Sequence, residues 1–209
     1  MKEESLKTEI KREFQLERMI LFSDAVFAIV ITLMAIEIRI PEPHKKGIAG
    51  FEEGMIHILP TILAYCISFF FIGVIWSRHL NLFKYLKDYD KGLIIRNLIL
   101  LFSVGLFPFS ASLLTQYRGI AGPYAVYFSV IILCLLSLFN LGYYVFKMRP
   151  ELRRDVDISK ELLNLKMMQF NIIGFITSGL FAYLTYKYLL TESTKYYAFF
   201  WLYLFVGIM

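Results

Sequence analysis

Apolar runs of near-membrane length set what this chain can fold into. They fall at about 17–38, 55–77, 93–116, 122–147, 168–190 and 195–209. A hydrocarbon core of roughly 30 Å takes about 20 helical residues to cross. In lipid every backbone N–H and C=O must be satisfied within the segment, so runs of this length must be helices. The chain is 58% apolar and 17% aromatic over 209 residues, more than a soluble domain of this size can hide. The sequence therefore predicts an all-α membrane protein, a single domain over residues 1–209 with six transmembrane helices. The last run is short for a full crossing. The stretch from Lys2 to Glu17 mixes both charges and does not read as a cleavable signal.

Topology follows from where Lys and Arg sit. The N-terminal segment and the second and fourth connections carry sixteen of them, and the other side carries six, namely Arg39, Lys45, Lys46, Arg118, Lys187 and Lys195. Both termini are expected to be cytoplasmic. This bias accounts for the net charge of +5, and no soluble basic face exists for nucleic acid. The longest hydrophilic connection, about 147–167, carries charges at helical spacing that would continue a helix into the cytosol, or would simply form a solvated face.

Arg18, Ser23 and Asp24 lie within the first span, among apolar residues. Ionisable groups in hydrocarbon are expensive and persist where they face partners or a pathway. The string from Arg18 through Phe22-Ser23-Asp24-Ala25-Val26-Phe27-Ala28-Ile29 continues to Thr32, Glu37 and Pro41. It resembles the opening helix of the transmembrane-protein-175 family, potassium-permeable channels of endosomes and lysosomes with shorter prokaryotic relatives. The string occurs once, with no internal repeat. The resemblance therefore implies the prokaryotic single-repeat form, a homotetramer with the first helix lining a central pore.

A helical wheel gives that helix two jobs. At about 100° per residue, Ile29, Leu33 and Ile36 lie within roughly 60° of one another, with Thr32 about 60° to the other side of Ile29. Phe22 falls on the same stripe. Ser23 and Asp24 lie roughly 120° and 140° from Ile29 in opposite senses. Around a fourfold axis the stripe would give an apolar ring at Ile29, a hydroxyl ring at Thr32 and a second apolar ring at Ile36. Hydrophobic constrictions gate by dewetting, and hydroxyls replace part of an ion's water. The resemblance implies the same assignment: a constriction at Ile29 and a selectivity contribution from Thr32. The plain alternative is that the stripe is helix packing and that Thr32 bonds its own backbone.

Arg18, Ser23 and Asp24 need partners, and Phe22 sits among them. Trp76 and His79 are three residues apart at the end of the second span and share a face. Arg96 and Asn97 open the third span. The resemblance implies that Trp76 and His79 join Arg18 and Asp24 in a network bracing the pore helix. The plain readings are a belt tryptophan and an interfacial histidine.

Other features are set aside. Ser103-Val104-Gly105-Leu106-Phe107 echoes a T-V-G-Y-G filter but has Phe107 where the second glycine must turn a carbonyl inward. Pro108 instead predicts a kink in the third span. Cys66 and Cys134 fall mid-span and read as small core residues. His44, Glu52, Glu53 and His57 gather near the outer end of the second span without an evident third metal ligand. Hydrolase and phosphate-loop motifs are absent from the sequence, so an enzyme is not expected, and no cofactor is implied.

The expectation is a potassium-preferring cation channel in the plasma membrane of a prokaryote. Its partners would be potassium ions, the lipid bilayer and identical subunits. A proton-coupled or proton-permeable transporter would need acidic residues at mid-membrane, where only Asp24 qualifies. A non-conducting structural membrane protein is the remaining competitor.

Overall fold

The computed structural model describes residues 2–36, 38, 47–117 and 121–188, without side-chain detail for 2–8, 49 and 60. The expectations placed on Glu37, Arg39, Pro41, His44, Lys45, Lys46, Arg118, Lys195 and the last span at 195–209 lie outside the described residues. Helices α1 (Lys2–Ile36), α2 (Ile48–Phe83), α3 (Lys91–Gly105), α4 (Phe107–Gln116), α5 (Ala121–Tyr143) and α6 (Ser159–Tyr188) make up the fold. The short α3 and α4 together form one crossing, so among the described residues five helical segments are long and apolar enough to span a bilayer.

The break between α3 and α4 falls at Leu106, two residues before Pro108. Pro108 has no N–H to donate and sits in the first turn of α4, where none is needed. Ser103, within the filter-like string, is helical, and its carbonyl accepts the Leu106 N–H at 3.3 Å. Its hydroxyl bonds Ile99 O at 2.7 Å and meets Ser137 on α5 at 3.1 Å.

Several spans run further than their apolar cores. With 35 residues at about 1.5 Å each, α1 is about 52 Å long and carries its charged first half well beyond a 30 Å core. The start of α6 at Ser159 lies ahead of the apolar run expected from 168. The charged connection before it does not continue a helix. A π turn over Tyr144–Met148 and a 3-10 turn over Pro150–Leu152 end α5, and Arg153 then pairs with Leu86 as an isolated antiparallel bridge. Pro150 cannot continue the ladder of helical hydrogen bonds, so the helix expected from charge spacing is present only from Ser159 onward.

Burial centres on α5, which packs against α2, α3, α4 and α6. Half of its apolar window is buried within the subunit, against 22% for α1 and α6. Cys134 is fully buried on α5, packed in the core with Leu100 and Phe107. On α1 the buried residues Leu16, Ser23, Phe27, Val30 and Met34 recur at steps of three, four and seven, the spacing of one helix face.

At the charged end the connections are tied together. Lys87 N–H and Asp88 N–H both donate to Leu152 O, at 2.9 and 3.2 Å, and Arg154 N–H donates to Tyr85 O at 2.7 Å. Arg12 on α1 meets Asp88 at 3.0 Å. Asp90 caps α3 by accepting the Leu93 N–H at 2.7 Å, while its other oxygen accepts the Tyr144 hydroxyl at 2.6 Å and Arg149 at 3.2 Å. Arg96 lies over the Tyr144 ring, 3.8 Å from its centroid.

Two outcomes follow. A Cβ on Gly92 would run into the Tyr144 hydroxyl and ring. Gly to Ala in a helix normally stabilises by about 1 kcal/mol. Gly92→Ala should instead destabilise by about 1–3 kcal/mol, the usual penalty for overpacking, read as a lower Tm in detergent. For Asp90, burial pushes the carboxyl up, but the Tyr144 hydroxyl, the Leu93 N–H and the Arg149 charge outweigh it and hold it below its ordinary 3.8. Its contribution to stability is therefore complete above that value and is lost as pH falls through the lowered folded one. Asp90→Asn should flatten the acid limb of the stability profile below pH 4; an unchanged limb would remove Asp90 from that role.

Candidate functional site: the two faces of the first helix

Ser23 and Asp24 leave α1 in different directions and find different neighbours. The Asp24 carboxylate accepts the Trp76 indole N–H of α2 at 2.8 Å. Ser23, fully buried, accepts the Asn97 side-chain N–H of α3 at 2.9 Å. The Ser23 hydroxyl donates back to Met19 O at 2.8 Å. Asn97 meets His79 Nε2 at 2.9 Å through its oxygen. One chain of bonds thus links α1, α3 and α2.

The orientation of the Asn97 amide sets the direction of the bonds. The Asn97 amide nitrogen is committed to Ser23, so its oxygen must accept, and His79 Nε2 must carry the proton. The other ring nitrogen, His79 Nδ1, is buried and without a hydrogen-bond partner among the described residues. Rings take the place of one. Phe83 lies 4.2 Å and Phe27 5.7 Å away, centroid to centroid. Phe27 belongs to the buried stripe of α1, so polar and apolar contacts hold the same face of the helix.

The structure brings Ser23, Asp24, Trp76 and His79 into this region. Arg18 is exposed and makes no hydrogen bond or ion pair with another described residue. Phe22 is 53% exposed, whereas Ser23 is fully buried. Asn97, absent from the primary set of site residues read from the sequence, is the hub. The available signal was an amide in an apolar helix, nearly two turns beyond Lys91, where a buried amide must find partners.

The opposite face of α1 is bare. Phe22, Ile29, Leu33 and Ile36 are exposed, Ile29 at 56% and Ile36 at 67%. Thr32 shares that exposure, and its hydroxyl donates to Ala28 O at 3.1 Å and Ile29 O at 2.9 Å. Because the proton is turned to the backbone, the oxygen lone pairs are left outward as acceptors. Between Phe22 and Ile36 this stripe carries no ionisable side chain. Glu53 and His57 lie at the far end of α2, where among the described residues no three His, Cys, Asp or Glu side chains gather as a metal site.

Residues 18–108 match the family model described as endosomal/lysosomal potassium channel TMEM175. Over that part the chain is similar to the TMEM175 family. A potassium channel of Chryseobacterium sp. (strain P1-3) is 29% identical over 168 residues, 80% of this chain and 82% of that protein. A potassium channel of Streptomyces collinus is 36% identical over 100 residues, 46% of each chain. Vertebrate relatives named endosomal/lysosomal proton channel TMEM175 match over 19% to 26% of their own length. Among solved structures, a lysosomal potassium-selective channel TMEM175 homolog from Chamaesiphon minutus shares the fold, with a TM-score of 0.70 at 23% identity, over 93% of this chain and 97% of that one. The family and these relatives are channels, not enzymes. The chain is a multi-pass membrane protein.

The hub has a measurable weight. Asn97→Leu fills similar space but leaves the His79 N–H buried and unpaired, which costs roughly 1–3 kcal/mol. It should lower Tm in detergent more than Ser129→Ala, whose hydroxyl is exposed and bonds only its own helix at Ala125 O. Equal losses would show that Asn97 anchors nothing.

Proposed function

We propose that the protein is a potassium-preferring cation channel, a homotetramer whose central pore is lined by the exposed stripe of α1. Potassium ions, the lipid bilayer and identical subunits are its partners. It sits in the plasma membrane of a prokaryote with both termini cytoplasmic, as the bias of Lys and Arg requires. The observation that carries this reading is the contrast between the two faces of α1. One face is locked to α2 and α3 by hydrogen bonds, and the other presents Phe22, Ile29, Thr32, Leu33 and Ile36 to the outside of the subunit.

Each residue then has a physical role. Ile29 and Ile36 form apolar rings that water vacates when they are narrow, and Leu33 fills the wall between them. Thr32 offers a neutral oxygen from each subunit. Potassium holds its water less tightly than sodium, so a ring of neutral oxygens favours potassium modestly. No T-V-G-Y-G filter is involved. Ser23, Asp24, Trp76 and His79 hold α1 in place, and Arg18 stands at its charged end. A proton relay is disfavoured along the stripe, because Asp24 is turned from it toward Trp76.

Purified protein in liposomes under potassium, sodium and proton gradients tests this directly. Potassium flux exceeding sodium flux is the expected result; no flux, or proton flux alone, would overturn it. Ile29→Asn should wet the constriction and raise cation flux. Thr32→Val keeps the shape and removes the oxygen, so the bi-ionic reversal potential should shift toward less potassium preference. An unshifted potential would mean that selectivity arises elsewhere.

A further inference from the structure

A cavity of about 290 Å³ lies between α2, α5 and α6 at the charged end of the bundle. It is away from the stripe of α1. Its polar lining is Arg78, Asn81, Glu161 and Asn164, and its apolar wall includes Leu138 and Leu165. Both leucines are buried and belong to facing helices, α5 and α6.

The charges in it are opposite and unmatched. Arg78 makes no hydrogen bond or ion pair with another described residue, Glu161 included. Glu161 is engaged only through long bonds, accepting the Tyr85 hydroxyl and the Asn164 side-chain N–H, each at 3.3 Å. Its carboxylate therefore keeps acceptor capacity. Asn81 uses its oxygen for Lys84 at 3.0 Å, so its N–H groups are left as donors. The cavity thus offers a cation with amide donors on one side and a carboxylate on the other, above an apolar wall.

Its depth is interfacial. With 36 residues, α2 is about 54 Å long and outruns a 30 Å core, so its last turns stand at headgroup level. Trp76, half a turn before Arg78, is the kind of side chain that marks that level. The volume is at the lower end for ligand pockets, which suits a headgroup and its first carbons and not a whole lipid.

We propose that this cavity binds the headgroup of a phosphatidylethanolamine lipid, with the phosphate on Arg78 and Asn81, the primary ammonium on Glu161, and the acyl chains leaving along the apolar wall. A zwitterion with N–H donors at its cationic end satisfies both charges at once. Phosphatidylglycerol carries no cation for Glu161.

The test is lipid retention by delipidated full-length protein, read by native mass spectrometry with phosphatidylethanolamine or phosphatidylglycerol of identical acyl chains. It is independent of ion conduction. Phosphatidylethanolamine should be retained better by about fivefold, the upper scale of one exposed ion pair. Glu161→Gln should abolish the preference, and Arg78→Gln should weaken retention of both lipids. Tyr85→Phe, which removes a bond to Glu161 but keeps its charge, should preserve the preference. Equal retention of the two lipids by the unsubstituted protein would overturn the proposal, as would a preference that survives Glu161→Gln.

Discussion

The bond between Asn97 and Ser23 is what the rest of the arrangement turns on. Both side chains are buried, and neither has water as an alternative partner within an apolar bundle. Breaking the contact strands the buried Asn97 N–H, while the Ser23 hydroxyl keeps its bond to Met19 O. A helix is otherwise free to rotate against apolar neighbours, because lipid tails and leucines offer similar surroundings. Polar contacts remove that freedom. Advancing α1 by one residue would turn it about 100°, bring Ser23 away from Asn97 and carry the Ile29 stripe off its present face. The Ser23–Asn97 contact is thus one of the constraints on the rotation of the helix and on what it presents outward.

Trp76 and Asp24 act from the other side. Their 2.8 Å bond ties α1 to α2, while Ser23 ties it to α3. Two tethers in different directions define an orientation that one cannot. Phe27, Val30 and Met34 then fill the space between, and their burial follows from the tethers above them. Exposure of Ile29 and Ile36 is the complement of the same geometry.

Much of this was legible in the residues. The two faces of the first span and the break near Pro108 follow from helical spacing, and the cost of polar groups in lipid says that Ser23 and Asp24 need partners. Trp76 as the partner of Asp24 was implied only by the resemblance, and Ser23 turns to α3 instead. Arg18 was not legible. Its place in the motif implies a partner, but long cationic side chains near a helix end reach the interface unaided. Asn97 as hub was also hidden, since which of two adjacent polar residues turns inward depends on helix rotation. The connection after α5 was legible only in part, since residues 159–167 are helical and those before them are not. Charge spacing cannot reveal a π turn, and Pro150 breaks the helical pattern that the charges alone would allow.

The charged end shows how modest forces combine. The Arg12–Asp88 pair is half exposed at its arginine and contributes little by itself, because exposed ion pairs are worth about 0–1 kcal/mol. The backbone bridge between Leu86 and Arg153 is different in kind. It pairs peptide groups beside two buried leucines, Leu86 and Leu152. Asp90 adds a third constraint by capping α3 with one oxygen and holding Tyr144 with the other. Thus the start of α3 is positioned by the end of α5. Asn97 sits two turns into α3, so its reach to Ser23 is set in turn by that cap. The orientation of the first helix is therefore built from the charged end upward, through backbone pairing, a helix cap and one buried amide.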